Sequence, residues 1–312
     1  MKKNFSLLGF LFLLYLCACN NRNTGTTTQN ETRADHEVKS VFINGDSIHY
    51  VDMGKGDPVL FVHGAFGDFR TWEAQMDTFA QHHRVISYSE RLSYPNKQIA
   101  NDSTDVSATA HAKDLAELLK ALNLEPVHLV GHSGGGNVAL LTTMEHPELV
   151  RSLILGEAAV PSLLQNVPGG DSVLNGLYVK IIKPATEAFR SNDDEKGVRA
   201  FINGAMGDSL YFDNLSQQIQ ENMKTNIPEV KHNLLYGGPS EQVTCDVLGK
   251  IKVPVLLLIG SKSISLFSSM NDELYRCLSN TERATIINAS HGLEYDNPAE
   301  FNRIVLDFID RH

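Results

Sequence analysis

The stretch "LVGHSGGGN", residues 129–137, holds one serine between closely spaced glycines. The apolar residues before the serine predict a buried β-strand, and the residues after it predict a helix that ends before Pro147. A strand that turns directly into a helix bends sharply, and bulky side chains two positions to either side would clash. The spacing of Gly131, Ser133 and Gly135 therefore predicts a strained corner that presents the serine hydroxyl at the edge of a sheet.

A serine at such a corner is suited to nucleophilic attack. The following helix directs free N–H groups and the positive end of its dipole toward Ser133, which favours a developing oxyanion. We expect the N–H of Gly134 to bind that oxyanion together with the N–H of Ala65, which follows a second buried strand in "VHGAF". His63 is expected to hold this loop through its ring nitrogens. A phosphate-binding loop is the alternative, but no lysine follows the glycines.

Predicted strands and helices alternate along most of the chain. The predicted elements are a hairpin about Asn44-Gly45, strands at 58–64, 83–89, 127–133, 150–157, 253–260 and 284–291, and helices at 111–124 and 298–312. This alternation predicts an α/β fold with a mostly parallel, doubly wound sheet covered on both faces. It stops within 161–245, which we interpret as an inserted helical cap, so the core comprises residues 38–160 and 246–312.

The N-terminal segment is typical of targeting rather than of a folded domain. Two lysines precede an apolar run that is short for a membrane span. The run ends in a motif that resembles the lipobox of bacterial lipoproteins, so residues 1–18 are interpreted as a signal peptide and Cys19 as the lipidated residue. Residues 19–37 are polar and predict a tether. Asparagine rather than aspartate follows Cys19, which favours an outer-membrane anchor facing the periplasm; an ordinary secretory signal is the alternative.

Composition limits the partners and cofactors. The formal net charge of −10 disfavours nucleic acid, and we expect contact with a membrane only through the lipid anchor. No histidine pair with a carboxylate stands at a metal-ligand spacing, and no dinucleotide fingerprint is present, so we expect neither metal nor cofactor. The remaining cysteines, Cys245 and Cys277, form either a disulfide or a pair of buried thiols.

His291 is the histidine best placed to act as a base. It lies in "ASHGLEYDNPAEFN", residues 289–302, after the last predicted strand and before the closing helix. Serine chemistry requires a base that takes the hydroxyl proton and returns it to the leaving group. His132 is expected to point away from its neighbour Ser133, and His111 is interpreted as a surface or helix-end residue. Asp296 is interpreted as the cap of the last helix.

Together these motifs identify a resemblance. From about residue 40 to 312 the chain resembles the α/β-hydrolase superfamily, through "VHGAFG", "VGHSGGG", "VPVLLLIG" and "SHGLEYDNPAEF" in that order. Many members carry aspartate-x-arginine-glycine where this chain has Ser89-Glu90-Arg91-Leu92. The resemblance implies a nucleophile, acid and histidine that act together, and it implies Ser133 and His291 as two of them.

The acid is missing from the place that the resemblance implies. Members commonly carry aspartate in the loop after the strand at 253–260, and Ser263 stands there instead. Glu157 ends the predicted strand 150–157, one strand beyond that of Ser133, which is the position of the acid in haloalkane dehalogenases and some lactone hydrolases of the superfamily. We therefore expect Glu157 to orient His291, with Asp272 and Glu273 as the other candidates.

The resemblance implies a serine hydrolase acting on a carboxylic ester, lactone or thioester of a small hydrophobic substrate. Phe66 and Trp72, with side chains of the cap, are candidates for lining an apolar substrate pocket. The serine argues against dehalogenation and epoxide hydrolysis, which use an aspartate nucleophile in this superfamily. Hydrolysis of a carbon–carbon bond, perhydrolysis, non-catalytic ligand binding and a scaffold role in the envelope are the alternatives.

Overall fold

An eight-stranded sheet lies at the centre of the part of the chain that this computed structural model describes, residues 36–312 without 97, 102–103, 166 and 239–240. The strands are β1 (Val38–Ile43), β2 (Asp46–Gly54), β3 (Pro58–Val62), β4 (Arg84–Tyr88), β5 (Val127–His132), β6 (Val150–Gly156), β7 (Val255–Gly260) and β8 (Thr281–Ile286). Their spatial order is β1-β2-β4-β3-β5-β6-β7-β8. The pairings β1–β2 and β2–β4 are antiparallel, and the other pairings are parallel. The predicted α/β fold with a mostly parallel sheet is confirmed.

Two apolar layers cover the faces of the sheet. Successive side chains of a strand point to opposite faces, and β3 shows this directly. Leu60 and Val62 belong to one buried cluster, whereas Val59 and Phe61 belong to another. Because both faces are buried, the central strands are continuously apolar, which is why they could be recognised in the sequence.

Helices cover both faces and fill the interval between β6 and β7. They are α1 (Glu73–Phe79), α2 (Ala108–Ala121), α3 (Ser133–Glu145), α4 (Gly170–Leu177), α5 (Lys183–Arg190), α6 (Asp194–Met206), α7 (Tyr211–Asn214), α8 (Gln217–Thr225), α9 (Ile227–Tyr236), α10 (Cys245–Leu248), α11 (Ser265–Cys277), α12 (Leu293–Asp296) and α13 (Pro298–Ile309). Short 3-10 turns occupy Phe69–Trp72, Pro147–Leu149 and Pro161–Leu164, and a π-helical turn, Tyr178–Ile182, joins α4 to α5.

Helices α4 to α9 contribute to two apolar clusters that are separate from those on the faces of the sheet. One cluster includes Phe189, Val198 and Phe212 and also takes in Phe66 from the loop after β3. Residues His36–His312 nevertheless cluster as one compact unit, so the boundaries of a helical cap at 161 and 245 stay a prediction. The predicted signal peptide, Cys19 and the tether up to residue 35 lie outside the described residues. Among the described residues, no helix has the length and apolar character needed to cross a bilayer.

The last strand differs from its predicted position. β8 spans Thr281–Ile286 rather than 284–291, so His291 lies in the loop beyond the strand. Among the strands that the structure describes, β8 is an edge strand of the sheet and pairs with β7 alone. Its first residues are therefore polar and partly exposed, and a search for apolar runs places the strand too late in the sequence.

The two cysteines of the described region form a disulfide. Cys245 begins α10 and Cys277 ends α11, and their Cα atoms lie 4.7 Å apart. This pairing decides between the two alternatives that the sequence left open. The bond closes a segment that contains β7, the loop with Ser263 and the whole of α11.

Candidate active site

Ser133 lies at the predicted corner between β5 and α3. Its backbone φ is 54°, in the left-handed region that costs a residue with a Cβ atom free energy. The corner also lies where the strand order reverses, because β3 has β4 on one side and β5 on the other. Ligands of open α/β sheets bind at the carboxyl ends of strands at such a switch point. The position and the strained geometry together mark Ser133 as a candidate for chemistry.

The structure brings Ser133, His291 and Glu157 into one hydrogen-bonded row. Nε2 of His291 lies 2.9 Å from Oγ of Ser133, and Nδ1 of His291 lies 2.7 Å from Oε2 of Glu157. Because a carboxylate accepts, Nδ1 carries the proton of the neutral ring and Nε2 is free to accept the serine proton. The arrangement can therefore move a proton from the hydroxyl to the imidazole and stabilise the imidazolium that results.

Ser263, the residue at the position of the missing aspartate, contacts the acid directly. Its hydroxyl donates to Oε1 of Glu157, and the N–H of Gly260 donates to the same oxygen at 2.8 Å. One carboxylate oxygen of Glu157 is thus held by two donors, which leaves the other for His291. The end of β7 and the loop after it therefore hold the acid by hydrogen bonds, although the acid itself follows β6.

His291 is enclosed on its faces as well as on its ring nitrogens. The ring of Phe267, on α11, stacks on the imidazole with a centroid separation of 3.5 Å and an interplanar angle of 8°. Burial lowers the pKa of the His291 imidazole, although Glu157 favours its protonated form. The free ring is therefore neutral at neutral pH, the form that a general base requires.

Asp296 fixes the loop of His291 rather than capping the last helix. Its Oδ2 accepts from the N–H and the hydroxyl of Ser290 at 2.7 and 2.6 Å. Its Oδ1 accepts from the hydroxyl of Tyr211 at 2.8 Å. The cap of α13 is the next residue, Asn297, whose Oδ1 accepts from the N–H of Glu300. The prediction for Asp296 was wrong by one position, since both residues precede Pro298.

His132 turns away from Ser133, as its place in the turn predicted. Its Nε2 donates to the carbonyl oxygen of His291 at 2.7 Å, and its Nδ1 lies 3.2 Å from Oε1 of Glu294. Burial raises the pKa of the Glu294 carboxyl to about 8 and lowers the pKa of His132. Both groups are therefore neutral at neutral pH, and His132 anchors the backbone of the base.

The loop after β3 lies against the serine. A Cβ atom at Gly64 would stand 3.0 Å from Cβ of Ser133, so this loop packs tightly against the serine. His63 holds the loop as predicted, because its Nδ1 donates to the carbonyl of Gly64 and its Nε2 accepts from the N–H of Glu90. Ala65 and Gly134 both line the cavity beside Ser133. This is where donors to an oxyanion are needed.

A cavity of about 520 Å³ opens above Ser133 and His291. Its apolar lining includes Phe201, Leu266 and Phe267. Phe66 lines a smaller adjoining cavity that also reaches Ser133 and His291, so it stands next to the site. Trp72 does not line the site: it is fully buried in the core, where its ring stacks on Phe61 at 4.8 Å and packs against Phe301. The prediction that Trp72 lines the substrate pocket was wrong, because the sequence does not show which apolar side chains face a cavity.

Residues 57–298 match the family model described as the alpha/beta hydrolase fold. The chain belongs to this family. Among curated relatives, the mouse sn-1-specific diacylglycerol lipase ABHD11 is 26% identical over 275 residues, 80% of this chain and 80% of the relative. Epoxide hydrolase 3 of Xenopus tropicalis is 27% identical over 296 residues, 85% of this chain and 75% of the relative.

Solved structures of α/β-hydrolases superpose on most of the chain. Est816, an N-acyl homoserine lactone degrading enzyme, has a TM-score of 0.69 and 23% identity, and the match covers 86% of this chain and 100% of Est816. Carboxylesterase CesB of Bacillus subtilis has a TM-score of 0.68 and 19% identity, covering 88% and 92%. These likenesses show the fold alone, and the activities of Est816 and CesB are properties of those proteins.

The other candidate acids of this α/β-hydrolase have partners elsewhere. Asp272 accepts from Arg283 at 2.5 Å, and Glu273 accepts from Arg276 at 2.7 Å. Both acids lie on α11. Each carboxylate forms an ion pair with its arginine rather than with the imidazole. Glu157, in contrast, is 1% exposed and bonded to the imidazole. The geometry therefore favours Glu157 over both alternatives.

Sequence reasoning missed a group of buried ionisable residues in the same cavity. Glu90, His111 and Glu229 all line it, and the interpretation of His111 as a surface residue was wrong, because it is 3% exposed. Burial lowers the pKa of His111, but the charges of Glu90 and Glu229 outweigh burial and raise it to about 9. A signal was present: His111 precedes Leu115 by four residues and so shares the apolar face of α2.

Replacing Ser263 with alanine removes one of the two donors to Oε1 of Glu157. We expect kcat of the hydrolase to fall by about tenfold with KM little changed, because a hydrogen bond to a charged group contributes about 1.5–3 kcal/mol and only part of this is lost from the transition state. Steady-state kinetics on a chromogenic ester measures the effect. Ser261→Ala is the matched control, since that hydroxyl accepts from the N–H of Asn288 instead. Equal rates in the two variants would contradict a role for Ser263 in holding the acid.

Proposed function

We propose that this protein is a serine hydrolase in which Ser133 is the nucleophile, His291 the general base and Glu157 the acid. The observation that carries the proposal is the row of hydrogen bonds of 2.9 and 2.7 Å that joins the three side chains at a strained strand–helix corner. A left-handed backbone conformation costs a serine free energy, and such strain is concentrated at functional sites. The hydroxyl also contacts a buried imidazole, as an activated nucleophile requires.

In the proposed reaction, Oγ of Ser133 attacks the acyl carbon while Nε2 of His291 takes the hydroxyl proton. The N–H groups of Ala65 and Gly134 bind the oxyanion of the tetrahedral intermediate. The C–O or C–S bond then breaks as His291 returns the proton to the leaving alcohol or thiol. Water, deprotonated by the same base, attacks the acyl-serine, and collapse of the second intermediate releases the acid and restores Ser133.

Carboxylic esters, lactones and thioesters are the substrate class that fits this chemistry. The cavity of about 520 Å³ is within the size range of small-molecule sites and carries apolar side chains beside the serine. A lipase, a carboxylesterase and a lactone-degrading enzyme among the relatives and solved structures agree with acyl transfer. The epoxide hydrolase relative is a weaker guide, because Ser133 occupies the corner where epoxide hydrolases of this superfamily use aspartate.

A fluorophosphonate probe tests the proposal without knowledge of the substrate. The full-length protein in detergent should be labelled stoichiometrically, and tryptic mapping should locate the adduct on Ser133. Ser133→Ala should abolish labelling, whereas Ser209→Ala, a change at an exposed serine, should leave it intact. A folded parent that resists the probe would overturn the proposal and favour a ligand-binding protein on a hydrolase scaffold.

We also propose that the hydrolase is anchored to the outer membrane through a lipid on Cys19 and faces the periplasm. The disulfide between Cys245 and Cys277 supports an oxidising compartment, since such bonds are rare in the cytosol. Metabolic labelling with a palmitate analogue, followed by membrane fractionation, should give a labelled protein in the outer-membrane fraction. Cys19→Ala should lose the label. Cys17→Ala should keep it, because the bulky Leu16 precedes Cys17 whereas the small Ala18 precedes Cys19. Label retained in Cys19→Ala would refute the assignment.

A further inference from the structure

Three ionisable side chains that the proposed reaction does not use converge inside the substrate cavity. Glu90 follows β4, His111 lies in the first turn of α2, and Glu229 lies in the first turn of α9. They are 6%, 3% and 7% exposed, respectively. We call these three residues the carboxylate–imidazole cluster. It lines the cavity that holds Ser133, so any ion bound there would face the substrate.

The atoms of the cluster face one another without hydrogen bonds. Nε2 of His111 lies 3.9 Å from Oε2 of Glu90 and 3.7 Å from Oε1 of Glu229, and the three ligand atoms all lie within 4.8 Å of one another. Both ring nitrogens of His111 and Oε1 of Glu90 have no hydrogen-bond partner among the described residues. Burying polar atoms without partners costs free energy, so this arrangement points to a ligand that all three side chains share.

The separations in the cluster are somewhat longer than the edges of a metal coordination shell. Ligand atoms about 2.1 Å from a tetrahedral zinc ion lie about 3.4 Å from one another. The 3.9 and 3.7 Å distances from Nε2 of His111 exceed that edge by about 0.5 and 0.3 Å, so small side-chain movements would bring the three ligand atoms onto one ion. Two carboxylates and one imidazole form a donor set that suits divalent first-row cations. We propose that Glu90, His111 and Glu229 bind a divalent transition-metal ion, such as Zn²⁺, in the substrate cavity. Three protein ligands leave a coordination position open for an oxygen atom of water or substrate.

A proton alone explains the cluster less well. An imidazolium donates from Nε2 in one direction, so it can form a hydrogen bond of about 2.8 Å with one carboxylate but not with both. Both carboxylates instead stand beyond hydrogen-bond distance of the same nitrogen. A metal ion at the centre serves all three ligands at once. It would also link Glu90 and His111, which flank the sheet, to Glu229 on α9.

The site could not be seen as a motif, because its residues are far apart in the sequence. Metal motifs are recognised by ligands that stand a few positions apart, as on one helix or in one turn. Here each ligand comes from a different element, and the fold alone brings them together. Because no such spacing is present, the sequence led to the expectation of no metal. The proposed site replaces that expectation with one that can be tested.

Zn²⁺ binding to the metal-stripped, full-length protein without a histidine tag tests the proposal. We expect isothermal titration to give one bound equivalent and the midpoint of thermal unfolding to rise with Zn²⁺ concentration. Glu229→Gln and Glu90→Gln keep the shape of each side chain, and each should weaken binding at least about a hundredfold, because each removes a direct ligand. Circular dichroism verifies that the variants are folded, and two independent ligand variants guard against the failure of one.

Two controls separate this proposal from the others. His232 lines the same cavity but its Nε2 is bonded to the carbonyl of Thr104 at 3.0 Å, so His232→Gln should bind Zn²⁺ like the parent. Ser133→Ala should lose the fluorophosphonate reaction and keep the Zn²⁺ site, so a failed hydrolase proposal and a failed metal proposal are distinguishable. A parent that binds no Zn²⁺, or binding that survives in Glu229→Gln and Glu90→Gln, would overturn the assignment.

Discussion

Replacing Glu157 with glutamine should lower kcat for ester hydrolysis by about 10³- to 10⁴-fold, the loss that removal of the acid's charge causes in serine proteases. Glutamine keeps the length of the side chain and can still fill the space beside Gly260 and Ser263. Its amide cannot stabilise the imidazolium, and an amide N–H directed at Nδ1 favours the tautomer that leaves Nε2 protonated. The ring would then be unable to accept the proton of Ser133.

Burst and steady-state kinetics on a p-nitrophenyl ester measure this loss. The matched control is Glu273→Gln, a change of the same type on α11, where the carboxylate pairs with Arg276 at the surface. That variant should retain the parental rate. If activity survives in Glu157→Gln and is lost in Glu273→Gln, the acid is Glu273 on α11, and the assignment of Glu157 is refuted.

Replacing Gly135 with alanine should lower the free energy of unfolding by about 3 kcal/mol and abolish most of the activity. A Cβ atom there would lie 2.5 Å from the carbonyl oxygen of Val62 and closer still to that of His63. These neighbours are backbone atoms of β3 and of the loop after it, so they cannot move aside as a flexible side chain would. Relief of the clash requires β3 and α3 to separate, and this displaces the loop of Ala65 from Ser133.

The neighbouring glycine provides the control for this prediction. A Cβ atom at Gly134 would meet no atom of the described residues within 4 Å, although both glycines belong to the first turn of α3. Gly134→Ala should therefore keep or slightly raise the free energy of unfolding, since alanine loses less backbone entropy than glycine in a helix. Urea denaturation followed by circular dichroism compares the two variants. Equal stabilities would show that the close packing of α3 on β3 is not what requires glycine at 135.

Those parts of the fold that carry a strong periodic signal were predictable. The buried strands, the corner at Ser133 and the closing helix all follow from apolar runs and glycine spacing, because central parallel strands are covered on both faces. The position of Glu157 followed from a different kind of reasoning: a base needs an acid, and the common place for it holds Ser263. The contact between these two residues is a property of the fold that no local pattern reports.

What escaped prediction depends on which way side chains point. Trp72 and Phe66 are both large and apolar, yet Trp72 lies in the core and Phe66 lies beside the site. The sequence of α2 does not show that His111 faces a carboxylate, because Glu229 comes from the distant helix α9. Asp296 and Asn297 are equally good helix caps by residue type, and the hydrogen bonds that Asp296 accepts from Ser290 and Tyr211 separate their roles. Each of these outcomes is decided by contacts between distant segments.

The position of Glu157 also bears on how such chains are classified. Its carboxylate reaches Nδ1 of His291 from the end of β6, while the loop after β7 contributes the hydroxyl of Ser263 to the same carboxylate. A survey that requires an acid in the loop after β7 would sort this chain among members that have lost their chemistry. Surveys of the family should therefore inspect the residue that follows β6 before they count a member as inactive.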